Sequence, residues 1–442
     1  MLKRIHKNAI ISIMLSIVLF LSACAAPASN GTNEPGNGNS SGSDAAAGVD
    51  KAPAQDAQDE TVEINFLHWR TEDKEVFDKI IADFEAKHPN IKVTQTIFPS
   101  SEYTSIAQQK LLDGSTGDVF TVFPGSQFEA LYKAGLMEDL TGKSVVDRFI
   151  PDLIEKGAKD GRQYALPYHL VYNMPLINVG IFEKLNIERP TDWESYLQVN
   201  ETLKQNGYIP IAFPGGDIGQ GQLMNPMLMN ENTDEEMFPK LLTGETKLTD
   251  EWYVNSLRKW GQLKEYFQPN SLGTGYEAAI TLFVTEQAAM LATGSFHAAL
   301  VLEQAPDMRL DMLPPITVSE DEVVYEGVHN TTFMLAINTK SSKKEAAETF
   351  LNFLAEKETA EYYANETGQL GVVKGLEYDS KALQFETDWT AKKTRFLPRS
   401  TIPDKQIEDA IISSIDAVIS GTSPEEAAAE AQKIVEQVIS QQ

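Results

Sequence analysis

Cysteine is almost missing from this chain of 442 residues: Cys24 is the only one. A single thiol has no intramolecular disulfide partner, and it cannot assemble a thiolate metal site. Histidine is nearly as scarce. His68, His88, His169, His297 and His329 follow Cys24, and no two of them lie within a helical turn. The paired-histidine spacing of zinc enzymes is therefore absent, and no metal is expected. Basic charge is short as well. The 64 Asp and Glu outnumber the 37 Lys and Arg, for a net charge of −27. Such a surface repels phosphate backbones and argues against nucleic acid as a partner. Gly215, Gly216, Gly219 and Gly221 crowd together, but no Gly-Lys-Ser/Thr follows, so there is no phosphate-cradling loop. No cofactor is expected.

The one long apolar run stands at the start. Lys3, Arg4 and Lys7 precede a stretch from Ala9 to Phe20 that only Ser12 and Ser16 interrupt. This is the layout of a secretory signal, too short for a comfortable transmembrane helix. It ends in Leu21-Ser22-Ala23-Cys24, which resembles the lipobox of bacterial lipoproteins. The resemblance implies that residues 1–23 are removed and that Cys24 is diacylated. The mature chain would then sit on the extracytoplasmic face of the cell membrane. Two acyl chains anchor a protein stably where one is marginal. The alternative is an ordinary cleaved signal with an incidental thiol. Loss of Lys3, Arg4 and Lys7 takes the net charge to −30, so the lipid, not the surface charge, must do the anchoring. Residues 24–60 read as a tether, rich in Ala, Ser, Gly, Asn and Pro and unable to bury a core. Gly38-Asn39-Ser40-Ser41-Gly42 matches a hydrolase pattern there, but without the strand and helix which that chemistry needs.

From Thr61 the pattern changes. Val62 to Leu67 alternates like a strand, and Val76, Phe77, Ile80, Ile81 and Phe84 make a helical stripe. Ile91–Ile97, a helix from Ser101 to Leu112, Asp118–Phe123 and a helix from Ser126 to Ala134 continue the alternation of strand and helix. That order predicts a parallel sheet covered on both faces, with ligands at the carboxyl ends of its strands. Those ends are His68-Trp69-Arg70, Phe98-Pro99-Ser100 and Phe123-Pro124-Gly125-Ser126. A second unit follows. Its expected strands are one ending near Leu166-Pro167, then Ile209–Phe213, Gln287–Ala292, Val323–Val328 and Thr332–Ile337. Helices are expected from Asp192 to Gln205, Leu223 to Met229, Asp250 to Phe267, Glu277 to Phe283, Phe296 to Gln304 and Ser342 to Leu354, with a last one after Ser423-Pro424.

Several stretches, in order, carry a family resemblance. They are Phe84 to Val93, Gly117 to Phe120, Ala134 to Thr141, Asp160 to Pro167, Ile177 to Lys184, Glu286 to Phe296 and Asn338 to Phe353. From Thr61 onward the chain resembles the family 1 extracellular solute-binding proteins of ABC importers, relatives of the maltodextrin-binding protein. Ile177 and Phe296 depart from the tyrosine and tryptophan usual there. The resemblance implies an α/β fold of two lobes, the type II periplasmic-binding-protein architecture, with a hinge and an interlobe ligand cleft. It places one lobe at 60–161 plus 331–371 and the other at 162–330 plus 372–442. It also implies a monomer that captures a carbohydrate, closes over it and delivers it to a permease, without catalysis.

A sugar offers an apolar face and a hydroxyl edge, so its site needs flat aromatic surfaces and fixed donors and acceptors. The candidates are residues expected at strand ends. Trp69 would stack, or anchor a core. Arg70 would donate to hydroxyls, or hold an ion pair. Ser126 would reach ligand, or cap a helix. Tyr168 and His169 follow Pro167 where the chain crosses the cleft, and Phe213 ends a strand. Phe296 and His297 follow the Gly294-Ser295 turn. His329 and Asn330 lie at a lobe crossing, and Gln369 lies in a glycine-rich loop. Besides a sensor or adhesin that uses the same fold without transport, two other functions stay open. One is a binder of a polyamine or a metal complex, which an acidic cleft would suit. The other is a secreted glycoside hydrolase with two carboxylates, which the acids alone cannot exclude.

Overall fold

The computed structural model describes residues 61–217 and 219–441. The expected signal segment, the acylated Cys24 and the tether lie outside the described residues. Four strands make the first sheet, and its alternating residues explain it. Val62–His68 runs parallel to Ile91–Ile97 on one side and to Val119–Val122 on the other; Met334–Ile337 closes the far edge antiparallel. The helix Lys74–Lys87 lays Phe77, Ile80, Ile81 and Phe84 on this sheet, the stripe its 3.6-residue period requires.

A second four-stranded sheet has the order Leu310–Met312, Leu176–Asn178, Ala288–Leu291, Ile209–Ala212. Its strands Ala288–Leu291 and Ile209–Ala212 carry no polar side chain, because both faces are covered there. Leu176, Ala212 and Leu291 belong to the core shared with the first sheet. Their neighbours Ile177, Ile211 and Met290 face a separate core, formed with the helices Glu251–Leu263, Lys405–Ser420 and Pro424–Ser440.

A third sheet joins the two. His169–Tyr172 carries the chain from the first sheet to the second, and Gly327–Thr332 carries it back, the two strands pairing antiparallel. Leu370-Gly371 adds to the first of these strands and Thr394–Phe396 to the second. Phe333, at a φ of 50°, marks the bend where the returning strand leaves the third sheet and enters the first.

The structure departs from the sequence expectations in places. The strand expected over Val323–Val328 lies instead at Gly327–Thr332. Asn230 Oδ1 accepts from the backbone N–H of Val324 and Tyr325, at 3.1 and 2.9 Å, so that stretch is pinned as a loop rather than paired in a ladder. The strand expected to end at Pro167 is a two-residue hairpin arm, Arg162-Gln163, turned at Asp160 and Gly161; the longer strand begins after the proline. The helix expected to run to Phe267 stops at Leu263 and ends in a 3-10 turn. The helix expected from Phe296 opens as a 3-10 turn, Ser295–His297, before Ala298–Gln304. Among the described residues, no helix is long and apolar enough to cross a membrane.

Candidate functional site

A cleft of about 1190 Å3 opens where the carboxyl ends of both main sheets face the third. Its floor is one face of the third sheet. Side chains alternate along a strand, so His169, Val171 and Asn173 share that face, and the paired strand adds Asn330 and Thr332. One wall is built from the ends of the parallel strands: Trp69 to Asp73 after Val62–His68, Pro99 after Ile91–Ile97, and Phe123 after Val119–Val122. The opposite wall carries Phe296 and His297 after strand Ala288–Leu291, Asp217 after strand Ile209–Ala212, Tyr276 at the start of a helix, and Gln369. Of the residues expected from sequence, the structure brings Trp69, Arg70, His169, Phe296, His297, Asn330 and Gln369 together here.

Trp69 is 7% exposed. Its ring stacks on Phe123 at 3.7 Å and 18° and meets Tyr103 edge-on at 5.2 Å. It is a core anchor that also lines the wall. Arg70 is held rigidly. Its Nε and Nη2 donate to the two Asp73 carboxylate oxygens at 2.7 and 3.0 Å, and Nη1 lies 3.1 Å from Glu72. Burial alone would weaken the guanidinium as a cation, but Asp73 and Glu72 outweigh it and keep the charge. Tyr363 donates its hydroxyl to Asp73 and meets His169 Nε2 at 2.8 Å. The His169 ring also lies near parallel to Phe333, at 4.6 Å and 10°, and to Tyr363, at 5.2 Å. Burial, with Arg70 nearby, holds its imidazole neutral, well below the ordinary histidine range. His297 is neutral for the same two reasons, pushed down to about 3, and its Nδ1 bonds Thr293 Oγ1 at 2.7 Å.

The floor and far wall carry polar atoms without protein partners. These are Asn173 Oδ1, Asn330 Oδ1, Thr332 Oγ1, Tyr276 OH and Gln369 Oε1. An unpaired buried polar atom costs about 1–3 kcal/mol, so five at one cleft are a device for meeting something polar. Aromatic faces stand beside them: Phe296 and His297 with ring centroids 4.6 Å apart, and Tyr276 edge-on to His297 at 4.6 Å. Among the described residues, no cluster of three His, Cys, Asp or Glu could hold a metal ion.

Residues 69–361 match the sequence profile described as bacterial extracellular solute-binding protein. The chain belongs to that family. This solute-binding protein is 22% identical over 344 residues to the "Multiple sugar-binding protein" of Streptococcus mutans, covering 76% of this chain and 81% of the relative. It is 21% identical over 373 residues to an uncharacterised ABC transporter extracellular-binding protein of Pyrococcus horikoshii, covering 81% and 83%. Among solved structures, a chitin oligosaccharide binding protein superposes with a TM-score of 0.75 at 20% identity. The solute-binding protein RafE in complex with raffinose gives 0.74 at 19%. Each comparison covers 86% of this chain and all of the other. The fold is thus the two-lobe type II architecture.

Four expected residues of this solute-binding protein lie away from the cleft lining. Ser126 neither caps its helix nor faces the cleft: its hydroxyl donates to Glu408 Oε2 at 2.7 Å. Tyr168 is 2% exposed and taken up by the core, where it donates to the Leu354 carbonyl at 2.8 Å, its ring 6.1 Å from that of His169. Phe213 is fully buried and stacked on Phe267 at 4.4 Å. His329 bonds Thr394 Oγ1 at 3.0 Å, across the third sheet. The sequence reading also missed Asp73, Asn173, Asp217 and Tyr276. Asn173 had a signal, since it continues the alternation from His169. Asp217 lies beyond the end of strand Ile209–Ala212, a signal of the strand-end kind; Tyr276 had none, and packing brings it in, its backbone N–H donating to Asp217 Oδ2 at 2.6 Å.

Proposed function

We propose that this chain is a carbohydrate receptor of an ABC importer. It binds a mono- or oligosaccharide in the cleft, closes over it and presents it to the permease, without chemical change. The observation that carries this reading is the pairing of unpartnered polar atoms with aromatic faces on a cleft of about 1190 Å3. Hydroxyls satisfy the first and a sugar ring's apolar face covers the second. The names of the relatives, one a multiple sugar-binding protein and one a chitin oligosaccharide binding protein, support it.

The lobes of this reading are 60–161 plus 331–371 and 162–330 plus 372–442, moving about the third sheet. Three chain crossings in that sheet suit a hinge motion that leaves each main sheet intact. The lipobox-like Leu21 to Cys24 supports anchoring at the outer face of the cell membrane, with the protein acting as a monomer at the end of its tether.

The test is a thermal-shift screen of the full chain, purified in detergent. Raffinose, stachyose, chitin oligosaccharides, galactose, polyamines and metal complexes form the panel. A ligand at 100 times its dissociation constant adds about 2.7 kcal/mol of stability. A sugar hit that persists unchanged on long incubation supports the reading. Hits only among polyamines or metal complexes refute it, and sugar consumed over time refutes the absence of catalysis.

A further inference from the structure

The polarity of the cleft leans to one side, the Tyr276 and Thr332 hydroxyls, which both donate and accept, excepted. Three of its unpartnered atoms are side-chain amide oxygens, which can only accept: Asn173 Oδ1, Asn330 Oδ1 and Gln369 Oε1. Two of these orientations are fixed from behind. The Asn173 amide nitrogen donates to Gln222 Oε1, and the Gln369 amide nitrogen donates to the Phe296 carbonyl at 3.2 Å. Asn173 and Gln369 are each 2% exposed and line the cleft, so both amides are held in place at its wall with an oxygen left without a protein donor.

The charge follows the same sign. Glu72, Asp73, Asp217, Glu277, Glu303 and Glu366 all line the cleft, against Arg70 and Lys381. Arg70 is consumed by Asp73 and Glu72. Lys381 stands exposed. His169 and His297 carry no charge, because burial keeps both neutral. A ligand carboxylate or sulfate would meet no free cation in the interior, several acids and a row of acceptors.

Resting on the carbohydrate reading, we infer that the cleft selects saccharides whose polar groups donate — hydroxyls and protonated amines — and rejects acidic sugars such as uronates. Asn173 and Gln369 read the donor, and the acids around Asp217 and Glu303 set the sign of the field. Charges in a cleft with low-dielectric walls act over several ångströms and are screened by salt.

The experiment compares derivatives on one backbone. For each neutral sugar that binds the full chain, calorimetry measures that sugar, its 6-carboxy form and its 6-amino form, at about 20 mM and about 0.5 M salt. The acid is expected to bind at least about tenfold more weakly than the neutral sugar at low salt, with the gap narrowing at high salt. The amine is expected to bind at least as tightly as the neutral sugar. Asp217→Asn with Glu303→Gln should shrink the penalty on the acid. An acid that binds as well as its neutral parent overturns the inference, and so does an equal loss for acid and amine, which would indicate size rather than charge. Binding of acidic sugars alone overturns it while leaving the carbohydrate reading intact. Failure of every saccharide, whatever its charge, refutes the carbohydrate reading and this inference with it.

Discussion

Truncating Asp73 to alanine should be among the costliest single changes in the protein. The Asp73 carboxylate is 3% exposed and accepts three bonds, two from Arg70 at 2.7 and 3.0 Å and one from the Tyr363 hydroxyl. Asp73→Ala removes all three at once. It leaves the Arg70 side chain, 9% exposed, with only Glu72 at 3.1 Å, whose own side chain is 55% exposed and screened by water. Breaking a buried pair from one side costs about 3–5 kcal/mol, because the remaining charge has lost both water and partner. Tyr363→Phe removes one hydroxyl that donates to a charge and should cost about 1.5–3 kcal/mol. The double change Arg70→Met with Asp73→Leu removes both charges together. Apolar replacements of a whole buried pair are often near neutral, so the double variant should be more stable than Asp73→Ala alone. Urea unfolding followed by tryptophan fluorescence measures all three, and Trp69 lies next to the network. A loss under about 1 kcal/mol for Asp73→Ala, or a double variant no better than the single, would show that the pair is not desolvated as described.

Three further outcomes are expected. Phe213→Ala, at a fully buried ring stacked on Phe267, should cost about 3–5 kcal/mol in urea unfolding. Sugar affinity of the folded fraction should stay unchanged by calorimetry, and a selective loss of affinity would return Phe213 to the ligand site. The buried histidines set an acid limit. Burial pushes His68 and His329 down to about 4 and His297 to about 3, from about 6.5 in an unfolded chain. Protons then bind the unfolded chain first, so these groups contribute fully above about pH 6.5 and lose stability as pH falls toward 4. Thermal melts should show that decline, and His297→Gln should flatten it; parallel curves would count against burial as the cause. Glu386 has the opposite sign. Burial, only partly offset by the Ser295 hydroxyl, raises it from 4.5 to about 8. Its contribution is present below about pH 4.5 and is lost as pH rises through 8. Glu386→Gln should therefore gain on the parent protein between pH 5 and pH 8 in the same melts, and a constant difference over that range would refute a buried, protonated Glu386.

Much of the fold was legible because periodicity is a local property. Phe77, Ile80, Ile81 and Phe84 had to share a helix face, and they pack on one sheet. Even the helix Lys405–Ser420, absent from the sequence expectations, carries its signal in Ile407, Ile411, Ile415 and Val418, between the Asp404 cap and Gly421 at a φ of 113°. What escaped were features that depend on distant segments. The loop at Val324 is a loop because Asn230 bonds it, and nothing near Val324 says so.

The site divides along the same line. The rule that ligands gather at the carboxyl ends of strands located the right loops, but it does not choose between adjacent residues. Tyr168 with His169, and His329 with Asn330, were each nominated as pairs. Within a strand, neighbours face opposite sides, so of His329 and Asn330 one had to point away, whereas Tyr168 precedes its strand and is taken up by the core, its hydroxyl on the Leu354 carbonyl. The register settles which. Thr332 lies opposite His169 and Asn330 opposite Val171, and these four line the cleft, whereas His329 lies opposite Tyr172 on the other face. Extending that alternation by two residues from Val171 reaches Asn173, which holds one of the cleft's buried, unpartnered oxygens. The strand end fixes where the cleft is, and the two-residue period fixes which side chains enter it. Tyr276 follows neither rule: it opens a helix, and packing brings it to the cleft beside Asp217, which lies beyond the strand end at Ala212.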